Sequence, residues 1–378
     1  MILSGILAGL ALVSVGIMLW QWLLGRRFPL HLRVADGSYA PGVTVLKPLK
    51  GCDAETRECL RSWLLQKYAG PVQVLFGVAS AEDPACAVVR ELIQANPMRD
   101  AQLVICGDTL GPNAKVSTLI PLQRQAKHDL ILVSDADVRV SPDLLANVVV
   151  PLREPDVGLV CCFYRMANPT TWAMQWEAIA INADFWVQVL QSQSLAPIDF
   201  ALGAVTVTRR EQLQGIGGFE ALVDYLADDF QLGNRIVRAG KRAVFSTVVV
   251  DGWDSTMSWR QVWSHQLRWA RTFRVCRPLL YFASIIGNAT LWPLLWLAAR
   301  PAAGTLAIVA ACLVVRVLTA WANQRRMTEA SPYATRAWFA PVKDLLNAGL
   351  WATAFLGNHV VWRGERFRVL RGGKLEKE

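Results

Sequence analysis

No basic residue precedes the first apolar run of this 378-residue chain, and residues 2–24 hold no charge of either sign. A cleaved secretory signal would show a basic start and a shorter apolar centre, so none is expected, and the uncharged length is enough to cross the roughly 30 Å hydrocarbon core as one helix. Arg26, Arg27 and Arg33 follow the run, so residues 1–25 read as a retained anchor with what comes next on the cytoplasmic side. The eight cysteines include no CxxC spacing, which agrees with a reducing compartment, and Cys161 and Cys162 read as core residues. Internal repeats and low-complexity tracts are absent, which sets aside solenoids and disordered arrays. Apolar residues, by contrast, are abundant: 53% of the chain is hydrophobic and only 18% charged, the balance of a membrane component. The net charge of +9 sits largely beside apolar segments, where it meets anionic headgroups, so lipid is the expected partner and nucleic acid is not.

From Pro41 to Arg277, strand-like runs such as "VTVLKP", "VQVLFGVA", "LVICG", "VGLVCCFY" and "AVFSTVVV" alternate with helix-like stretches such as "DPACAVVRELIQA". The alternation predicts an α/β domain over 41–277, a sheet with crossover helices whose strand carboxyl ends line the ligand crevice. Apolar segments at 279–299, 303–321 and 342–362 then predict two or three membrane helices within 278–362, followed by a basic cytoplasmic tail at 363–378. The third segment is the weakest, since it holds Lys343, Asp344, Asn347, Asn358 and His359. Arg316 is expected to snorkel toward Arg325 and Arg326. Three crossings after a cytoplasmic domain would put the basic tail outside, against the charge rule. An even number is therefore expected, with one of the three segments lying in the interface or re-entering.

Chemistry-bearing residues cluster in three places. In "LILVSDADVRVSPD" the apolar run stops at Asp135 and Asp137. Two carboxylates in this spacing hold a divalent metal through hard oxygen ligands, and the metal neutralises a diphosphate. The same pair also admits a solvated turn before "SPD", or a dehalogenase-type phosphatase in which the first Asp is the nucleophile. Asp228 and Asp229 open the amphipathic stretch "DDFQLGNRIVRAG", where on local grounds they cap the helix and complement its dipole. In "SHQLRWARTFRVCRP", Arg268, Arg271, Arg274 and Arg277 recur every three residues and give a helix one basic face, with headgroup contact accounting for Arg274 and Arg277.

A strand ending in DxD, then a second acidic pair, then RW ahead of membrane helices resembles the inverting glycosyltransferases of GT-A fold. The stretches "VTVLKPLKG", "EDPA", "GPNAK" and "VWRGERFRVLRGGK" resemble more narrowly the ceramide glucosyltransferase family and its bacterial relatives associated with hopanoid lipids. The resemblance runs from Pro41 to the C-terminus. It implies a Rossmann-like nucleotide-diphospho-sugar transferase domain with an N-terminal transmembrane helix and C-terminal membrane helices. As activity it implies transfer of a hexose, glucose first, from a UDP-sugar to a lipid hydroxyl such as that of ceramide, with Mn2+ or Mg2+ as cofactor. Transfer of GlcNAc from UDP-GlcNAc, or of another sugar, to a hopanoid or a different lipid is the alternative.

Carried over by position, the resemblance makes Asp135 and Asp137 the metal and sugar-nucleotide carboxylates and Asp229 the general base. Arg268 falls near the diphosphate and Trp269 near the acceptor; Lys115 of "GPNAK" falls in the sugar-nucleotide region, and Lys47 of "VLKP" toward the nucleotide. Two positions depart from the pattern. The first acidic position falls on Ser80, which leaves Glu82 and Asp83 as displaced candidates for the uridine side. His265 stands three residues before Arg268 where Gln or Arg is usual, and still offers a hydrogen bond, with a charge that changes near neutral pH.

A processive polysaccharide synthase uses similar motifs but needs more membrane helices than this chain provides. A phosphatase leaves the second acidic pair and the RW element unused. A membrane scaffold that kept the fold and lost activity is the non-enzymatic reading, motivated by Ser80. The stretch "DGWDSTMSWRQVWSHQLRWART" suits headgroup depth, although Trp253, Trp259 and Trp263 serve equally well as core. The expected location is a bacterial inner membrane with the catalytic domain cytoplasmic.

Overall fold

A computed structural model describes residues 1–107, 109–329, 336–362 and 364–378. The chain opens with α1 (Ile2–Arg27). Strands and helices then alternate: β1 (Val43–Pro48), α2 (Thr56–Leu64), β2 (Val72–Val78), α3 (Ala85–Ala95), β3 (Asp100–Ile105), α4 (Ala114–Gln125), β4 (Leu130–Ser134). Two short elements, β5 (Val138–Arg139) and α5 (Leu144–Val148), precede the long strand β6 (Val157–Met166). A π-helical turn at Ala180–Phe185 separates α6 (Trp172–Ile179) from α7 (Trp186–Leu195). After it come β7 (Val205–Arg209), α8 (Arg210–Gly215), α9 (Asp228–Arg238) and β8 (Arg242–Gly252). The rest is α10 (Trp259–Cys276), α11 (Pro278–Ser284), α12 (Leu291–Ala299), α13 (Ala303–Thr328), α14 (Ala340–Ala354) and three strands, β9 (His359–Trp362), β10 (Glu365–Val369) and β11 (Leu375–Lys377).

Two compact units result. One comprises residues 29–168 and 196–255; the other comprises 1–28, 169–195 and 256–378. Two segments inside the 41–277 range, 169–195 and 256–277, therefore join the apolar helices. The tie is aromatic: Trp176 of α6 packs against Trp259 and Trp263 of α10, and its indole Nε1 donates to Asn347 Oδ1 of α14 at 2.8 Å.

The first unit is built on an eight-stranded sheet in the order β3-β2-β1-β4-β7-β6-β8-β5. Strands β3, β2, β1 and β4 run parallel, whereas β7 is antiparallel to both β4 and β6. Every residue of β1 is buried, as expected of a parallel strand covered on both faces. Its core side chains Val43 and Val45 pack in one cluster with Leu60 and Trp63 of α2 and Val89 of α3. The chain runs outward from β1 to β3 and then returns to the other side of β1 as β4, with Val43–Leu46 paired to Leu130–Val133. Such a reversal of strand order opens a crevice at the carboxyl ends of the two strands. Asp135 and Asp137 follow β4 at that crevice.

In the second unit, α1 and α13 have 26 residues each and are long and apolar enough to cross a membrane. The two run in the same direction. Thr319 Oγ1 donates to Met18 Sδ at 3.3 Å, and roughly two to three turns further on the Arg326 guanidinium donates to the Phe28 carbonyl. Two spans pointing the same way require a return crossing between them, and the apolar pair Pro278–Gly287 and Leu291–Ala299, bent by 58°, occupies that interval. The basic ends Arg26–Arg27 and Arg325–Arg326 then share one side. The bent pair and α13 are thus the two candidate crossings, by length and composition, among the described residues after 277. The third apolar segment does not continue as a span: α14 stops at Ala354 after 15 residues, and the chain turns into β9.

Arg316 does not snorkel. It is 4% exposed and donates to Asp344 at 2.7 and 2.9 Å and to Asp184 of the π-helical turn at 2.8 Å. Lys343 joins both carboxylates. Two cations balance two anions, so the helix keeps a guanidinium at its midpoint at no net buried charge. Arg274 is likewise turned inward, against the Gly357 carbonyl at 3.1 Å, Asn358 Oδ1 and the Phe355 ring, because the loop after α14 offers it oxygens that a headgroup would otherwise supply.

Candidate active site

The α/β unit gathers four of the expected residues in one place. Helix α4 starts at Asn113, whose side-chain Oδ1 accepts from Val116 N at 3.0 Å while its Nδ2 donates to the Tyr225 carbonyl at 2.7 Å. This cap fixes the first turn of α4 against the loop ahead of α9. Lys115, in that turn, is 7% exposed and places Nζ 2.7 Å from Asp135 Oδ1 and 3.3 Å from Asp228 Oδ2. Burial alone would lower the ammonium's pKa, but the Asp135 and Asp228 carboxylates outweigh it and hold the group well above the usual lysine range. Asp228 therefore does more than complement a helix dipole. It pairs with Lys115, and α9 has no side-chain cap.

Asp229 follows in the first turn of α9, with Oδ1 accepting from Phe230 N at 2.7 Å. Burial, then the Asp228 charge, push its carboxyl up to about 6, with Lys115 pulling the other way. Two glycines make this placement possible. A Cβ on Gly203 would lie 2.9 Å from Asp229 Oδ2, and one on Gly233 would lie 2.4 Å from the Ala201 backbone N, so α9 approaches the 200–203 loop only because both side chains are missing. A small cavity is lined here by Lys115, Gly203, Thr206, Phe219, Asp228 and Asp229.

Lys47 is fully enclosed. Its Nζ donates to Ser134 Oγ at 3.2 Å and to the Asp135 carbonyl, beneath the Trp63 ring at 5.0 Å. Burial lowers its pKa to about 8 against the opposing pull of Asp137. These contacts hold the turn that carries Asp135. Asp137 is exposed; its carbonyl accepts from Trp253 N at 2.9 Å, which anchors the other end of the turn. On the uridine side, Asp83 accepts from Gly51 N at 3.1 and 3.0 Å and from Ala85 N at 2.9 Å, while Glu82 is exposed.

Arg268, Trp269 and His265 lie on α10, in the other unit. That helix begins with a capping box, Ser258 with Gln261. The His265 and Trp269 rings are 4.5 Å apart. His265 Nδ1 lies 2.7 Å from Oε1 of Glu177, a carboxyl on α6 that sequence reasoning missed. Nothing in the local pattern around Glu177 distinguishes it from a surface residue.

Asp135 and Asp137 offer hard oxygen donors at an accessible strand end, with side-chain exposure of 39% at Asp135. Among the described residues no three His, Cys, Asp or Glu side chains are arranged to hold a metal ion by themselves. Such a donor set fits Mg2+ or Mn2+, which take one or two carboxylates and fill the remaining positions with phosphate oxygens and water. The Lys115 ammonium on Asp135 marks the same demand for positive charge.

Comparison with known proteins agrees with this frame. Ceramide glucosyltransferase 1 of Caenorhabditis elegans is 28% identical over 229 residues, 58% of this chain and 47% of the relative. Ceramide glucosyltransferase of Candida albicans is 35% identical over 129 residues, 31% of this chain and 24% of the relative. The chain thus spans about half or less of the length of these curated relatives. Among solved structures, the mannosyltransferase PcManGT from Pyrobaculum calidifontis, in complex with GDP-Man and Mn2+, superposes with a TM-score of 0.57 at 21% identity. It covers 91% of this chain and 99% of its own, which shows the GT-A fold. The profile of glycosyl transferase family 21 matches residues 6–375, and the chain belongs to that family.

Proposed function

We propose that the protein is an inverting hexosyltransferase that moves glucose from UDP-glucose to the hydroxyl of a membrane lipid such as ceramide. The observation that carries the reading is the Asp229 carboxyl, raised to about 6 beside the Lys115–Asp135–Asp228 network at the crevice between β1 and β4. A base with a pKa just below working pH is mostly ionised yet still takes up a proton from an attacking hydroxyl. Asp229 fills that role. Asp135 and Asp137 would hold the divalent cation, which supplies charge neutralisation for a departing diphosphate. Lys115 orients Asp135 and Asp228, and the RW motif gives Arg268 the role of a cation whose attraction grows as the leaving group gains charge. Trp269 serves the acceptor side.

The lipid assignment rests on the membrane-length helices α1 and α13 in a chain of family 21. The basic ends of α1 and α13 support a cytoplasmic placement of that side in a bacterial inner membrane, by the positive-inside tendency.

The test is calorimetric titration of the detergent-solubilised chain with UDP in Mn2+, paired with transfer from UDP-glucose to ceramide. Wild type should bind UDP only with metal, and Asp137→Ala should lose that binding. Asp229→Asn should keep binding and lose transfer. Transfer that survives in Asp229→Asn removes the base assignment, and absence of metal-dependent UDP binding removes the reading as a whole.

A further inference from the structure

Glu177 is 1% exposed, and within the apolar-helix unit it is the least expected charge. Its Oε1 accepts from Gln266 Nε2 at 2.8 Å and lies 2.7 Å from His265 Nδ1, while Oε2 is buried with no hydrogen-bond partner. A carboxyl in that position costs stability unless the group it holds has a use. Around it stand tryptophans. Trp176 neighbours Glu177 on α6 and stacks on Trp259 and Trp263, and Trp269 meets the His265 ring. His265 keeps 28% of its side chain exposed and Trp259 is 48% exposed, so the buried carboxyl ends in an imidazole edge that solvent or substrate reaches.

We infer that Glu177 is a positioning residue that fixes His265 for recognition of the lipid acceptor's headgroup, a reading that rests on the proposed lipid transfer. With Nδ1–H donated to Glu177, the ring's tautomer is set and Nε2 becomes an acceptor at the exposed edge. An aromatic wall with one fixed polar group is the arrangement that binds an apolar molecule by its polar end. Nε2 takes a hydrogen bond from a second donor on the headgroup, a hydroxyl or amide N–H adjacent to the hydroxyl that is glycosylated. The elements packed on α10 bring other charges: Lys343 and Asp344 on α14, committed to Arg316 and Asp184; His359 on β9, paired with Glu378; and Arg366, Arg368 and Arg371 in the C-terminal sheet region. On α10 itself Arg268 is one turn on from His265. Of these groups, Glu177 bonds the imidazole.

The experiment measures kinetics of the full chain in nanodiscs with UDP-glucose and two acceptors, ceramide and a long-chain alcohol that lacks the adjacent donor. Glu177→Met should raise the acceptor KM roughly 3- to 10-fold, the value of one hydrogen bond, with the donor KM unchanged. His265→Ala should do the same, and the double variant should be no worse than either single one. Glu177→Gln, which still accepts from Nδ1, should restore near wild-type acceptor KM. The wild-type preference for ceramide over the alcohol should shrink by the same factor in His265→Ala. Should Glu177→Met not fold, the His265→Ala and Glu177→Gln arms still decide. Multiplying effects in the double variant, an equal rise in donor KM, or an unchanged preference in His265→Ala overturns the inference while leaving lipid transfer standing. A wild type inert toward both acceptors overturns the two readings together.

Discussion

Transfer should weaken as pH falls through about 6, because burial and the Asp228 charge hold the Asp229 carboxyl there. The base acts in its ionised form, so about nine-tenths of the enzyme is competent one pH unit above that value and about one-tenth one unit below it. The rate at subsaturating substrate then drops roughly tenfold per unit on the acid side. Asp228→Asn removes the second cause of the upward shift while Lys115 continues to pull down, so its acid limb should move to lower pH. The same shift has a stability signature of opposite sign. A carboxyl whose folded pKa is raised contributes stability at low pH that is lost as pH rises through about 6, so Asp229→Asn should melt higher than wild type above that pH while losing about 10² to 10⁴-fold in transfer. Initial rates of UDP release in nanodiscs between about pH 5 and about pH 8, with thermal unfolding of the same samples, measure both. A rate independent of pH over that range, or a limb that moves upward in Asp228→Asn, refutes the reasoning.

Arg316→Met leaves Asp184 and Asp344 with only Lys343, and breaking a buried ion network from one side costs about 3–5 kcal/mol. Denaturant unfolding in micelles should show it, with Arg316→Met/Asp344→Asn recovering much of the loss. Gly203→Ala would set a methyl group 2.9 Å from Asp229 Oδ2, too close to be kept, so the carboxylate must shift; a misplacement of about 1 Å costs up to about 10²-fold in turnover, with UDP affinity from calorimetry unchanged. Lys115→Met removes the ammonium that competes for Asp135 and Asp228, so UDP titrations should reach saturation at a lower Mn2+ concentration than in wild type.

Much of the architecture was legible from periodicity. Strict alternation of buried strands with amphipathic helices gave β1 to β4 and their crossovers, and the abrupt stop of "LILVS" at a carboxylate located the crevice. The partners were not legible. Lys115 was visible as a motif residue, but that its ammonium would bridge Asp135 and Asp228 depends on the Asn113 cap and on the tight approach of α9, which tertiary packing alone creates. Arg316 misled for the same reason: its acidic partners lie 132 and 28 residues away, one in a π-helical turn with no sequence signature. Hydropathy also ran on through 342–362 although the chain changes from helix to strand, since Val360 and Phe367 bury one face of a small sheet as readily as a helix would.

The bent crossing carries a biosynthetic consequence. Between Gly287 and Leu291 its backbone leaves the helix, and in hydrocarbon those amides would be stranded. Asn288 accepts from Thr290 N and Leu291 N at 3.2 and 2.9 Å, and donates in turn to the Asp344 carbonyl at 2.8 Å, while the Thr290 hydroxyl donates to Asp344 Oδ2 at 2.6 Å. Asp344 belongs to α14, which the ribosome makes more than 50 residues later. The loop amides are thus capped by Asn288 as soon as the bend is made, but the Asn288 amide and the Thr290 hydroxyl gain their acceptors only once α14 has been synthesised, so a nascent chain truncated ahead of α14 would present the insertion machinery with two polar groups lacking their Asp344 partners.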